Sequence, residues 1–191
     1  MPATTKDRIL EATELLFRRY GYTGTGLKQI VADANAPFGS VYHFFPGGKA
    51  QLGEEVIRRS GRMYEELVLA VWDAADDPVT AARDVFAGAA EVLRVTDYLD
   101  PCPIGVVALE VASSNEALRL ATVDVFASWL TAIGRRLTAA GVGERDARRL
   151  SHVLIELLEG AFMMARATRS TEAVDAAGDA AVALVATALG R

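Results

Sequence analysis

The sequence predicts an all-α protein, with an N-terminal three-helix head on a larger helical bundle body and about nine helices in all. Apolar residues recur at three- and four-residue spacing through most of the chain, and no long stretch alternates polar and apolar residues as a strand would. Gly, Pro and Asn stand between the periodic segments, where helices end. With 191 residues, 51% of them apolar, the chain is long enough for one substantial domain or two smaller ones.

The first predicted helix begins after Thr4, which stands three residues before Asp7 as in a capping box. Apolar residues follow at helical spacing, among them Ile9 and Phe17, until Gly21 ends the helix.

Two very short helices are predicted next, at about residues 27–34 and about 37–45. Asn35 lies in the turn between them, and Asn tolerates the left-handed conformation that a helix C-terminus needs. Pro37 suits the first turn of the second helix, where a missing N–H costs nothing. Pro46 and the two glycines after it end that helix.

The remaining predicted helices are longer. One at about residues 49–73 connects the head to the body, and five more follow at about 78–96, 103–112, 115–140, 144–168 and 171–189. Ser113 and Glu116 have the spacing of a second capping box, which predicts the start of the fourth of these six helices.

Charge divides along the chain, although its net value is −5. Residues 1–62 carry nine Lys and Arg against six Asp and Glu, a net charge of +3, and residues 63–191 carry eleven against nineteen, a net charge of −8. A basic N-terminal region on an acidic remainder is expected of a DNA-binding segment joined to a domain with another task.

Two short helices behind a supporting first helix are typical of a helix-turn-helix, whose second short helix enters the major groove of DNA. We predict base contacts from Ser40 and His43, and phosphate contacts from Tyr42 and from Lys49 with the neighbouring glycine amides. Phe38 either touches a thymine methyl group or packs inward. The predicted DNA-binding residues are Thr25, Gly26, Lys28, Pro37, Phe38, Gly39, Ser40, Tyr42, His43 and Lys49.

The body carries large apolar side chains, most of which we expect in its core, while some line a cavity for a small apolar molecule. The candidate cavity residues are Met63, Trp72, Phe86, Leu93, Ile104, Leu109, Phe126, Trp129, Ile133, Phe162 and Met163.

Each of the last two predicted helices is apolar on more than one side, which predicts that a second copy of the chain covers one side in a two-fold, four-helix contact. The alternative is an ordinary packed edge within one chain. The predicted dimer residues are Leu150, Leu154, Leu157, Ala161, Met164, Val174, Ala177, Ala181 and Val185.

No catalytic residue, cofactor or metal site is predicted, and we expect that the protein is not an enzyme. Ser151 and His152 are adjacent on a helix and do not face each other, while Cys102 has no basic neighbour in sequence to activate it. No apolar run reaches the roughly 18 residues that span a bilayer. No signal-peptide pattern precedes Ile9, so a cytoplasmic location without a membrane partner is expected.

The segment 22–52, YTGTGLKQIVADANAPFGSVYHFFPGGKAQL, resembles the signature of the TetR family of transcriptional regulators, in which Gly-Ser-Leu-Tyr-His-His-Phe forms the recognition helix and a Lys follows. Its Pro-Gly-Gly-Lys ending and the segment 100–110, DPCPIGVVALE, resemble the LmrA/YxaF branch. The sequence departs from the family pattern at Gly26, where Ser or Thr is usual, at Asn35, where Gly is usual, and at residues 37–38, where small polar residues are common.

These observations predict a DNA-binding domain at residues 1–50 and an effector-binding and dimerisation domain at residues 51–191. The expected function is a transcriptional repressor that binds a palindromic DNA operator as a homodimer and is released by a small apolar or aromatic effector. The resemblance and the helix-turn-helix both lead to this expectation. One alternative is a DNA-binding activator or regulator without an effector, and another is a helical small-molecule-binding protein or enzyme.

Overall fold

The structure, a computed structural model, describes residues 3–191 and is all-α over that range. Each predicted helix is present, most with ends within one residue of the prediction. The helices of the described residues are α1 (Thr5–Tyr20), α2 (Leu27–Asp33), α3 (Gly39–Phe44), α4 (Gly48–Ala74), α5 (Pro78–Val95), α6 (Pro103–Val111), α7 (Glu116–Ala139), α8 (Glu144–Thr168) and α9 (Glu172–Ala188).

The described chain forms two compact units. The first unit runs from the N-terminal segment to Arg62 and includes Cys102–Val125, and the second contains Met63–Pro101 and Phe126–Arg191. The first unit is therefore larger than the predicted DNA-binding domain, because α6 and the start of α7 pack with it. The division of roles at residue 50 stays a prediction.

α1 is the central support of the first unit. The Thr4 side chain accepts a hydrogen bond from the Asp7 N–H at 3.2 Å, and the Asp7 carboxylate accepts one from the Thr4 N–H at 3.1 Å, which confirms the predicted capping box. Ile9 and Phe17 on its apolar face are buried. α2, α3 and α6 pack against α1.

The turn between α2 and α3 contains Asn35 in the left-handed region, at φ 46°, as its residue type predicts. Pro37 is not in the first turn of the second short helix as predicted, because α3 begins only at Gly39 with Phe38 as its N-cap. The Ser40 N–H donates to the Pro37 carbonyl oxygen at 2.9 Å, so Pro37 closes a tight turn just ahead of the helix.

The second predicted capping box, at Ser113 and Glu116, is wrong. Asn115 caps α7 instead, since its Oδ1 accepts a hydrogen bond from the Leu118 N–H at 3.2 Å. The Glu116 carboxylate binds Arg119 on the same helix and does not return to the cap. Asn is among the best N-cap residues, so the sequence did contain the signal.

α5, α8 and α9 enclose the core of the second unit. Phe86 and Leu93 of α5 are buried there with Leu154 of α8 and Val174 of α9. Gly178 lets α9 approach α5 closely, because a Cβ atom at this position would lie 3.0 Å from the Cβ of Phe86.

α7 is long and apolar enough to cross a membrane by length and composition alone, with a mean hydropathy of 1.3 over its best window. One such helix is weak evidence, because core helices of soluble proteins pass the same test. Leu118, Ala121 and Leu137 of α7 are buried inside the protein. We therefore treat α7 as a helix of the bundle.

Candidate nucleic-acid interface

α3 is amphipathic in the way that a recognition helix requires. Val41 and Phe45 are completely buried and fix its inner side, while Tyr42 and His43 are exposed on its outer side. Phe38 is 45% exposed, with its ring centroid 6.1 Å from that of Tyr42, so it does not pack inward. The outer side therefore presents a pair of aromatic rings beside an imidazole.

The predicted DNA-binding residues are mostly at the surface of the first unit. Ser40 and Lys49 are half-buried. A Cβ atom at Gly26 or Gly39 would meet no atom within 4 Å, so no contact within the chain requires glycine there. The exposed members of the set are Gly26, Lys28, Pro37, Phe38, Gly39, Tyr42 and His43.

The prediction that Thr25 contacts DNA directly is corrected, because its side chain is completely buried. Its hydroxyl donates to the Gly21 carbonyl oxygen at 2.7 Å, and its N–H donates to the Tyr22 carbonyl oxygen at 3.3 Å. Thr25 therefore shapes the turn before α2 from inside.

The prediction that the two glycine amides before Lys49 bind a phosphate is also corrected, since both N–H groups already have partners within the chain. The Gly47 N–H donates to Oε1 of Gln51 at 2.8 Å, and the Gly48 N–H donates to the Phe45 carbonyl oxygen at 2.8 Å. Gln51 was not predicted, although its sequence signal is a polar side chain four residues after the first glycine, where a helix start leaves N–H groups without a partner.

Lys49 is folded onto the protein surface. Its Nζ lies 4.2 Å from the centroid of the Tyr22 ring, within the range of a cation–π contact. Burial lowers the pKa of Lys49, and the negative charge of Glu110 partly opposes this by raising the pKa. A phosphate contact by Lys49 stays a prediction, and it requires the side chain to leave Tyr22.

Arg8 of α1 supports the turn of the helix-turn-helix, a role that the sequence analysis missed. Its Nε donates to the Ala34 carbonyl oxygen at 3.0 Å, and its Nη2 donates to the Asn35 carbonyl oxygen at 3.3 Å. The only sequence signal is an Arg directly before buried Ile9, which does not identify its distant partners.

Glu110 of α6 also contacts the helix-turn-helix. Its Oε2 accepts a hydrogen bond from the Thr23 N–H at 2.7 Å, in the turn before α2. Glu110 lies in the segment that resembles the LmrA/YxaF branch, but nothing in its sequence context predicted this contact.

The candidate cavity residues divide between the two units, with Ile104 and Leu109 in the first. Leu109 is 81% exposed and Met163 is 66% exposed, and Met63 is exposed as well, so none of the three is enclosed within its own unit. Their role as cavity walls stays a prediction.

Three other cavity candidates, Phe86, Leu93 and Ile104, are buried core residues, in line with the expectation that most large apolar side chains form core. The remaining candidates are half-buried residues of the second unit, and their role as cavity walls stays a prediction. These residues are Trp72, Phe126, Trp129, Ile133 and Phe162.

Most of the predicted dimer residues are buried within one chain, which corrects their assignment. The apolar stripe of α8 that contains Leu154 packs in the same core as Phe86 of α5, and Val174 of α9 is completely buried there too. Only Met164 of the set is exposed, at 54%, and Leu157 is half-buried. The buried members are Leu150, Leu154, Ala161, Val174, Ala177, Ala181 and Val185.

Two protein families match the chain in succession. Residues 9–56 match the bacterial regulatory proteins of the tetR family, and residues 78–180 match the C-terminal domain of LmrA/YxaF-like transcriptional regulators. The HTH-type transcriptional regulator YxaF of Bacillus subtilis is 35% identical over 160 residues, which is 84% of each chain.

Solved structures share the fold at lower sequence identity. A TetR transcriptional regulator from Legionella pneumophila has a TM-score of 0.83 at 20% identity and covers 94% of this chain and 96% of its own. A cysteine mutant of the TetR-family regulator CifR, solved with 26-base-pair operator DNA, has a TM-score of 0.78 at 18% identity, covering 92% and 94%. The chain belongs to the TetR family of transcriptional regulators, in its LmrA/YxaF-like branch, and α2 and α3 form its DNA-binding helix-turn-helix.

Proposed function

We propose that this regulator is a repressor that binds a palindromic operator as a homodimer and leaves it when a small apolar or aromatic effector binds. The observation that carries the DNA-binding part is the outer side of α3. Phe38, Tyr42 and His43 are exposed there over a buried anchor, which is the arrangement that a helix needs to enter a major groove.

Each of the predicted DNA-contact groups has a distinct role in this proposal. Lys28 and Lys49 bind phosphates together with the Tyr42 hydroxyl, and these contacts orient the protein without selecting a sequence. Ser40 and His43 contact base edges and supply the selectivity. The operator complex of CifR supports the assignment, because it shows a protein of the same fold on double-stranded DNA.

The dimer contact is proposed at the exposed parts of α8 and α9. Met163 and Met164 of α8 and Leu184 of α9 are large apolar side chains that the single chain leaves exposed. A two-fold contact over these residues buries them and places two helix-turn-helix elements on half-sites about 34–36 Å apart.

The effector is proposed to bind in the second unit, near its half-buried aromatic residues. Phe126 and Trp129 form an edge-on pair with ring centroids 5.7 Å apart, and Trp72 and Phe162 pack against the core. The effector binds more tightly to an arrangement of the dimer whose helix-turn-helix elements do not match the operator. It therefore lowers the affinity for DNA through a coupling free energy of about 1–3 kcal/mol. The working location is the cytoplasm, where DNA and effector are both accessible, and no enzymatic activity is proposed.

Fluorescence anisotropy tests the proposal with labelled DNA from upstream of the regulator's own gene and a random duplex of equal length. We expect preferential binding of the upstream DNA, affinities that fall with added salt, and release by a member of a panel of small aromatic compounds. Equal affinity for both duplexes would contradict sequence-specific binding. Specific binding that no compound reverses, with transcription increased, would identify an activator instead.

A further inference from the structure

Phe38 presents an aromatic ring at the outer side of the helix-turn-helix, directly before the first residue of α3. The residue is 45% exposed. Its side chain carries no hydrogen-bonding atom, so it binds neither a phosphate nor a polar base edge through a hydrogen bond. A partner that covers the ring gains free energy with the apolar area that is buried. The exposed ring of Phe38 therefore requires an apolar partner.

The residues around Phe38 hold its ring in position. The ring centroid lies 6.1 Å from that of Tyr42, four residues further along the chain, at an interplanar angle of 59°. The backbone is fixed as well, because the Ser40 N–H donates to the Pro37 carbonyl oxygen at 2.9 Å. The Val41 N–H donates to the Phe38 carbonyl oxygen at 3.3 Å. A side chain that is already restrained loses less conformational freedom when it binds a partner.

The space beside this ring is open. A Cβ atom at Gly39 would meet no atom of the described chain within 4 Å. In a helix-turn-helix, the N-terminal residues of the second short helix contact base edges in the major groove. The apolar group that a base pair presents there is the C5 methyl group of thymine, and the other groups are hydrogen-bond donors and acceptors. A ring that covers those polar groups leaves them without partners, which costs free energy.

We propose that Phe38 selects thymine at one position of each operator half-site by packing on its C5 methyl group. This inference rests on the proposed function, in which α3 enters the major groove of an operator. It adds an apolar contact to the hydrogen bonds that are proposed for Ser40 and His43. Tyr42 is a positioning residue in this contact, because its ring supports that of Phe38.

Deoxyuridine tests the proposal, because it lacks the C5 methyl group of thymidine and keeps the rest of the base. Thymines of the upstream duplex are replaced by deoxyuridine one at a time, and fluorescence anisotropy measures the affinities. At the thymine that Phe38 covers, the wild type should lose about three- to fivefold in affinity, the effect of burying one methyl group. Phe38→Ala should bind the thymine and deoxyuridine duplexes equally. It should keep the wild-type affinity for a random duplex, since the ring binds no phosphate.

Leu120→Ala is the matched control, because Leu120 of α7 lies in the same unit and is also 45% exposed. It should show the same loss with deoxyuridine as the wild type. The proposal would be overturned if no replacement caused a loss that depends on Phe38. It would also be overturned if Phe38→Ala weakened the upstream and random duplexes equally, which would place the ring on the sugar–phosphate backbone. Equal affinity of the wild type for the upstream and random duplexes would instead contradict the proposed function, and the inference with it.

Discussion

The Nε of Arg8 donates a hydrogen bond to the Ala34 carbonyl oxygen at 3.0 Å, and this contact joins α1 to the end of α2. The carbonyl groups at the end of a helix have no partner within the helix. Arg8 satisfies the Ala34 carbonyl group at the end of α2, and its Nη2 also reaches the Asn35 carbonyl oxygen in the turn that follows. The same side chain therefore fixes the turn whose geometry sets the direction of α3.

Arg8→Ala is expected to lower the free energy of unfolding by about 1–2 kcal/mol, because two carbonyl groups lose a charged donor. It should also lower the preference for operator over random DNA, since α3 is held less firmly. Urea unfolding and anisotropy measure the two effects. Arg8→Lys is the control, because it keeps the charge without the planar guanidinium group. Its free energy of unfolding and its preference for operator DNA should lie between those of the wild type and Arg8→Ala. Wild-type stability in the alanine variant would contradict the assigned role.

Local patterns predicted the helices well because their causes are local. Thr4 finds its partner Asp7 three residues away, and Asn35 adopts the left-handed conformation for reasons of its own side chain. Residue type and spacing are sufficient for such features, so most helix ends were predicted to within one residue. The same holds for Val41 and Phe45, whose burial follows from the amphipathic pattern of α3.

Long-range partners were not predictable from spacing. Arg8 and Glu110 bind backbone groups 26 and 87 residues away, and nothing near either residue marks those partners. The stripe of α8 that contains Leu154 is apolar whichever protein surface covers it, so the sequence cannot distinguish α5 of the same chain from a second copy. The residue type of Thr25 likewise did not show which way its hydroxyl faces, and the hydroxyl donates inward to the Gly21 carbonyl oxygen.

Lys28 and His43 are both exposed, but substituting each one should change DNA binding in a different way. Lys28→Ala should weaken operator and random DNA equally and reduce the salt slope by about one, because a phosphate contact releases one counterion. His43→Ala should instead lower discrimination at one base position, by at most about 1–3 kcal/mol, the usual cost of one mismatched base pair. Salt titrations and competition with base-substituted operators measure the two effects. An unchanged slope in the Lys28 variant would contradict its phosphate contact.

The N-cap of α5 gives a prediction for acid stability. Hydrogen bonds from the Thr80 and Val79 N–H groups hold the pKa of Asp77 below its ordinary value of 3.8. The unfolded chain therefore binds more protons than the folded one in mildly acid solution, so this stabilisation is complete above the ordinary pKa and is lost as the pH falls through the lowered one. Urea unfolding measured from pH 7 to pH 3 should show that the free energy of unfolding falls less with acid in Asp77→Asn than in the wild type.

Asp77→Ala is the matched control for that series, since it removes the cap at every pH and should be less stable than Asp77→Asn throughout. Parallel pH profiles for the wild type and Asp77→Asn would contradict the lowered pKa.

The corrected positions on α8 separate core residues from proposed dimer residues. Leu154→Ala should lower the free energy of unfolding by about 2–5 kcal/mol, because it leaves a cavity in the buried cluster of the second unit. Met163→Glu should leave that core intact and dissociate the dimer, since it places a charge in the proposed two-fold contact. Met63→Glu, the same change at an exposed methionine of α4, should leave the dimer intact. Sedimentation at micromolar concentration measures the association of all three. A dimeric Met163→Glu protein would exclude this side of α8 from the interface, and the exposed Met163 and Met164 would then need another partner.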